Sequence, residues 1–255
     1  MAGAIIGGLI AQGVVDRQNL YVADPWETTV FNIEACKEAD LVLAVKPQVT
    51  KTVCQELGKA WADRSGLPVV VSIAAGITLS SMKEWLRTKD DKVEHVVRAM
   101  RNTPALLGEG ASGLFAGAEV TAAERDMVHA LLGSVSKVVP WVDSEELLNV
   151  VTTLSGGAFG AAYFFNLVEI LVASTVELGL PEEQATQLIA QTCLGAGRML
   201  VESSDGPSQL RSNVTSPNGT THAALQSLAA SGFGHTVNRA VKAAAFRAAE
   251  LSNKS

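Results

Sequence analysis

A chain of 255 residues is long enough for one large domain or two of ordinary size. Apolar residues make up 47% and charged ones only 18%, so a substantial core is expected, and the many alanines and glycines favour close helix packing. The net charge of −6, with no basic run, argues against a nucleic-acid partner.

The cysteines Cys36, Cys54 and Cys193 lie far apart, with no Cys-x-x-Cys or Cys/His cluster. Neither a disulfide framework nor a metal site is predicted, and a reduced, cytoplasmic compartment is expected. The apolar start, Met1 to Ile10, lacks a basic region and a cleavage site, so no signal peptide is expected.

Met1 to Leu9 reads as helix. Gly3, Gly7 and Gly8 lack the Gly-x-Gly-x-x-Gly spacing of a dinucleotide fingerprint and have no strand before them. Buried strands are predicted at Leu20 to Ala23, Asp40 to Val45, Pro68 to Ile73 and Val93 to Met100. Each is followed by turn chemistry: Asp24-Pro25, Lys46-Pro47, Ala75-Gly76 and Asn102-Thr103-Pro104. Strand, turn and helix in alternation predict a parallel α/β sheet. Thr121-Ala-Ala-Glu124 is a capping box that opens a helix, and Val135 to Val142 reads as a last strand.

From Ser144 the pattern is helical. Thr152 to Val176 has Glu169 as its only charged residue and could be mistaken for a membrane span. Its glycines, Asn166 and Glu169 favour a helix buried in a core or a subunit interface. Pro181 fits a first helical turn, with Ala185, Leu188, Ile189 and Thr192 on one face. Gly195 and Gly197 within that helix predict close backbone packing. Val237, Val241, Ala244, Ala248 and Leu251 form a seven-residue repeat suited to a helix–helix seam. Residues 1–143 are thus expected to form an α/β domain and residues 144–255 a helical one.

In an open parallel sheet, ligands collect at the carboxyl ends of the strands. There Lys46 offers a cation, Asn102 and Thr103 offer neutral hydrogen bonds, and Asp24 is placed to meet a ribose hydroxyl. A second candidate site is Asn213-Val-Thr-Ser-Pro-Asn-Gly-Thr-Thr-His222. Pro-Asn-Gly makes a tight turn, with φ > 0 easy at Asn218 and Gly219. The following helix opens with free N–H groups among hydroxyls, a pocket for a small carboxylate. The plainer alternative is an ordinary helix cap. His222 is expected merely to start the helix, and His95, His129 and His235 to lie on strand or surface.

Taken in order, several motifs resemble those of the pyrroline-5-carboxylate reductase family across nearly the whole chain. They are Leu43-Ala-Val-Lys-Pro-Gln48, Val71-Ser-Ile-Ala-Ala-Gly76, Arg98-Ala-Met-Arg-Asn-Thr-Pro-Ala105, Leu154-Ser-Gly-Gly157, Gly179-Leu-Pro181 and Asn213 to Thr221. The resemblance implies an α/β Rossmann-type N-terminal domain, here lacking its first strand, plus an all-α C-terminal dimerisation domain. It implies reduction of 1-pyrroline-5-carboxylate to L-proline by NADPH or NADH, the last step of proline biosynthesis, in a homodimer or ring of dimers. The residues it assigns to the cofactor are Ala44, Val45, Lys46, Pro47, Ile73, Ala74, Ala75 and Asn213, with Asp24 and Asn32 near the adenosine ribose; Asn102 joins them from the reading of the post-strand turns. Glu145, Thr220 and Thr221 would face the substrate. Ser216 and the helix start after Gly219 would hold its carboxylate, and Thr221 would assist protonation of the ring nitrogen.

Departures accompany the resemblance. The glycine loop is missing, and the chain is about a dozen residues shorter after Asp24. Arg101 replaces a usual proline, Gly156 to Tyr163 replaces a shorter loop, and Ser204 falls where a family carboxylate contacts substrate. The alternative they leave open is a homologue with impaired cofactor binding that serves as a dimeric scaffold or interaction protein.

Overall fold

A computed structural model describes residues 2–14, 41–43, 45–88, 94–154 and 159–252. The chain runs α1 (Ala2–Ala11), β1 (Leu41–Leu43), α2 (Pro47–Ala60), β2 (Val69–Ser72), α3 (Leu79–Leu86) and β3 (His95–Arg101). A 3-10 helix (Thr103–Leu107), β4 (Gly110–Ala116), α4 (Ala122–Gly133) and β5 (Ser136–Val138) follow. The rest is helical: α5 (Glu145–Leu154), α6 (Phe159–Glu177), α7 (Glu182–Glu202), α8 (Pro207–Asn213), α9 (Thr220–Ala230) and α10 (Phe233–Ser252). The contacts divide the chain into two compact units, Met1–Ala161 with Ala244–Ser255, and Ala162–Ala243.

In the first unit the sheet order is β1-β2-β3-β4-β5. Strands β1, β2 and β3 are parallel, β4 is antiparallel to β3, and β5 is parallel to β4. The expected parallel sheet is found in β1–β3 and is corrected at β4. Only a 3-10 turn joins β3 to β4, too short a link for a parallel crossover. The predicted strand at Leu20 to Ala23 lies outside the described residues. The last predicted strand shortens to Ser136–Val138.

Side chains alternate across the sheet, which explains why its strands read as apolar runs. Val69, Val71, Val97, Ala99 and Leu114 pack with Ile5 and Leu9 of α1 and with Val128 and Leu132 of α4. Val70 and Val96 pack on the other face, against Val53, Cys54 and Leu57 of α2 and Met82 and Leu86 of α3. The capping box forms as predicted: the Thr121 hydroxyl accepts from the Glu124 N–H, and Glu124 Oε2 accepts from the Thr121 N–H at 2.7 Å.

In the second unit, Pro181 sits one position earlier than expected, as the N-cap of α7. Added Cβ atoms on Gly195 and Gly197 would meet nothing within 4 Å, so close packing inside this chain does not explain them. Helix α6 is not a core helix of the single chain, because Phe164, Phe165 and Ile170 are exposed. Its segment Gly160–Glu177 is long and apolar enough to cross a membrane by length and composition alone.

Candidate active site

The turns after β1, β2 and β3 bring several sequence-predicted residues to one edge of the sheet. Lys46 is the N-cap of α2, with Pro47 at the first helical position and no side-chain cap. The Lys46 carbonyl accepts from the Thr50 hydroxyl at 3.2 Å, while its side chain lies in solvent. A cation and a helix N-terminus thus share one turn. After β2, the Ser72 hydroxyl accepts from the Ala74 N–H at 3.2 Å, fixing the path of Ile73, Ala74 and Ala75. Gly76 closes this turn at φ +78, and a Cβ there would lie 3.3 Å from Leu251 Cβ in the last turn of α10. After β3, Asn102 spends its side-chain oxygen on the Ala111 N–H at 3.0 Å, tying the 3-10 turn to β4.

Two arginines on β3 point to opposite faces. Arg98 is fully buried on the α2/α3 side, and its Nη1 donates to Glu145 Oε1 at 2.5 Å. The same oxygen accepts the Leu79 N–H, at the start of α3, at 2.7 Å. Glu145 therefore joins the first turn of α5 to both β3 and α3.

Arg101 has the strand parity of Val97 and Ala99 and pairs across the ladder with Ser112. It is only 8% exposed, and its Nε and Nη1 are buried without a hydrogen-bond partner. Burial pulls its pKa down to about 10, so the guanidinium still carries its charge at neutral pH. A buried cation with unmatched donors at the carboxyl edge suits an anionic ligand there, such as the phosphates of a dinucleotide.

The other predicted cluster lies in the helical unit. The Gly219 N–H donates to the Ser216 carbonyl at 3.1 Å, closing a turn with Asn218 at φ +58. Positive φ at the third position marks a type II turn. The expected positive φ at Gly219 is not found: Gly219 is the extended N-cap of α9, at φ −79, without a side-chain cap. An ordinary side-chain cap is thereby replaced by a helix end with uncommitted N–H groups beside the exposed Ser216, Thr220 and Thr221. Asn213 uses both ends of its amide inside this unit. Its Oδ1 accepts from Gln209 at 2.7 Å, and its Nδ2 donates to Asp205 at 3.2 Å.

Val45, Lys46, Pro47, Ile73, Ala74, Ala75 and Asn102 thus line the post-strand turns, and Ser216, Gly219, Thr220 and Thr221 form one turn and helix start. Asp24, Asn32 and Ala44 lie outside the described residues. Sequence reasoning missed Arg98 as the partner of Glu145. The available signal was a charge within the apolar run of His95–Arg101.

A Rossmann-type sheet with post-strand turns on its carboxyl edge, in a chain that continues into helices with exposed apolar residues, is an architecture used by dinucleotide-dependent oxidoreductases. A family model described as pyrroline-5-carboxylate reductase dimerisation matches residues 145–251. Pyrroline-5-carboxylate reductase of Pseudomonas aeruginosa is 42% identical over 268 aligned positions, covering 100% of this chain and 94% of that protein. The Arabidopsis thaliana enzyme is 37% identical, covering 99% of this chain and 92% of its own length. Among solved structures, a pyrroline-5-carboxylate reductase of Coxiella burnetii aligns with TM-score 0.85 and 35% identity, over 98% of this chain and 94% of that one. A pyrroline carboxylate reductase of Plasmodium falciparum, solved with NADP bound, aligns with TM-score 0.82 and 26% identity over the same shares. The chain belongs to the pyrroline-5-carboxylate reductase family.

Proposed function

We infer that this chain reduces 1-pyrroline-5-carboxylate to L-proline with NADPH or NADH, the last step of proline biosynthesis. The observation that carries this reading is the full-length relationship to pyrroline-5-carboxylate reductases, at 42% identity to the Pseudomonas aeruginosa protein.

The reaction places a hydride on the imine carbon and a proton on the ring nitrogen. A bound reduced nicotinamide supplies the hydride. Residues 1–143 serve as the cofactor domain. Asp24 and Asn32 take the adenosine ribose; Ala44, Val45, Lys46, Pro47, Ile73, Ala74, Ala75, Asn102 and Asn213 take the rest of the dinucleotide. Residues 144–255 serve dimerisation and substrate binding. Ser216 and the N–H groups after Gly219 hold the substrate carboxylate, while Thr220 and Glu145 flank it. Thr221 hydrogen-bonds the ring nitrogen, directly or through water, and assists its protonation. Holding both reactants in register is the main contribution and lowers barriers by about 7–11 kcal/mol in ideal cases. The uncovered apolar face of α6 is assigned to contact with a second copy rather than to lipid, and the cytoplasm is the proposed compartment.

NADPH oxidation with 1-pyrroline-5-carboxylate, run beside direct NADPH binding by the full chain, tests the reading. Cofactor-dependent turnover supports it. No binding at millimolar NADPH would replace it with a dimeric scaffold.

A further inference from the structure

We propose that Arg101 is a phosphate-binding residue that pairs with the pyrophosphate of the bound dinucleotide. The inference rests on the reductase reading and adds to it a contact from a strand residue. The geometry carries it. Arg101 ends β3, the last strand of the parallel part of the sheet, where that sheet meets its ligand turns. The hydroxyl of its cross-strand neighbour Ser112 bonds that of Ser136 at 2.7 Å. No described residue hydrogen-bonds or ion-pairs with the Arg101 side chain, and Nε and Nη1 are both buried.

A desolvated cation left in this state destabilises the ligand-free protein. It persists without penalty only if a ligand completes it. Arg98, on the opposite face of the same strand, is 1% exposed and also has a buried Nε without a hydrogen-bond partner. Arg98 has a carboxylate of its own chain and Arg101 does not. The planar fork of a guanidinium matches two oxygens of a phosphate group. A pyrophosphate is common to NADPH and NADH, so the contact serves both cofactors equally. The substrate carboxylate has a separate set of donors in the proposed Ser216–Thr221 site.

The test uses full-length wild type, Arg101→Met and Arg101→Lys. Dissociation constants for NADPH and NADH are measured by fluorescence titration, and Tm is measured without ligand and with inorganic pyrophosphate. Arg101→Met is expected to weaken both cofactors by about tenfold or more, with Lys restoring only part of the affinity because it keeps the charge and not the planar fork. Pyrophosphate should raise the Tm of the wild type but not of Arg101→Met. The ligand-free Arg101→Met protein should melt no lower than the wild type, showing that it folds. Unchanged cofactor affinity in Arg101→Met overturns the inference and leaves the reductase reading intact if the wild type turns over. A loss confined to NADPH would move the contact to the 2′-phosphate and overturns it. A wild type that binds neither dinucleotide, yet is stabilised by pyrophosphate through Arg101, removes the reductase reading and keeps the phosphate site.

Discussion

Arg98 and Glu145 form an ion pair in which a fully buried guanidinium on a central strand is matched by one carboxylate oxygen at the start of α5. That oxygen also receives the Leu79 N–H, so three elements meet on a single atom. Removing the carboxylate leaves Arg98 charged and uncompensated inside the sheet. Glu145→Ala is expected to lower stability by about 2–3 kcal/mol, read as a shift of the urea midpoint at constant slope. Glu145→Gln keeps an acceptor for Leu79 and should fall between the two. Equal stability of the wild type and Glu145→Ala would show that the pair contributes nothing net.

Thr221→Ala addresses the chemistry. The variant should fold with an unchanged Tm, since Thr221 is exposed in the first turn of α9. Its turnover should fall about 100-fold or more if the hydroxyl assists protonation at the ring nitrogen. Steady-state kinetics with KM and kcat separated decide this, and wild-type turnover removes Thr221 from the mechanism.

A pH effect is expected at Glu124, which closes the capping box of α4 and lies 2.7 Å from His95 Nδ1. Partial burial, the largest single influence, would raise its carboxyl pKa. The Thr121 N–H, the His95 ring and the Thr121 hydroxyl together outweigh it and hold the carboxyl below its ordinary 4.5. A depressed folded-state pKa contributes stability that is complete above the unfolded value and lost as pH falls through the folded one. The gap between wild type and Glu124→Gln, about 1 kcal/mol at neutral pH, should therefore close below pH 4.5 in denaturant titrations across that range. A gap that stays constant with pH would assign the effect to shape rather than charge.

Neighbouring glycines of α1 should respond in opposite directions. An added Cβ on Gly7 meets nothing within 4 Å, so Gly7→Ala should gain about 0.5–1 kcal/mol of helix propensity. At Gly8 the same atom would lie 2.5 Å from Val135 Cγ1 and 2.6 Å from the Ser134 carbonyl oxygen. Overpacking costs about 1–3 kcal/mol and outweighs the propensity gain, so Gly8→Ala should destabilise. Thermal melts of the two variants check the sign.

The parallel strands were legible because β-branched runs such as Val69–Ser72 end in turn residues. Strand β4 was not, since Gly110–Ala116 carries little β propensity of its own. Its glycines answer to tertiary neighbours: a Cβ on Gly113 would sit 2.6 Å from Val151 Cγ1, and one on Gly110 2.6 Å from Ser136 Oγ. The Pro217-Asn218-Gly219 turn was readable in position but not in how α9 begins, because whether a hydroxyl caps a helix depends on geometry that spacing does not encode. Arg101 could be noticed as a departure from a family pattern. Its lack of a partner emerges only when the residues packed around it are known.

The contact between Gly76 and Leu251 has a consequence for how the molecule is made. The turn after β2 leaves the ribosome well before the helical turn that packs on it. Synthesis proceeds at about 5–20 residues per second, and contacts this distant in sequence form late. The turn after β2 therefore lacks this packing partner in a nascent chain until α10 has emerged. A chain stopped before α10 has a β2 turn without this packing partner.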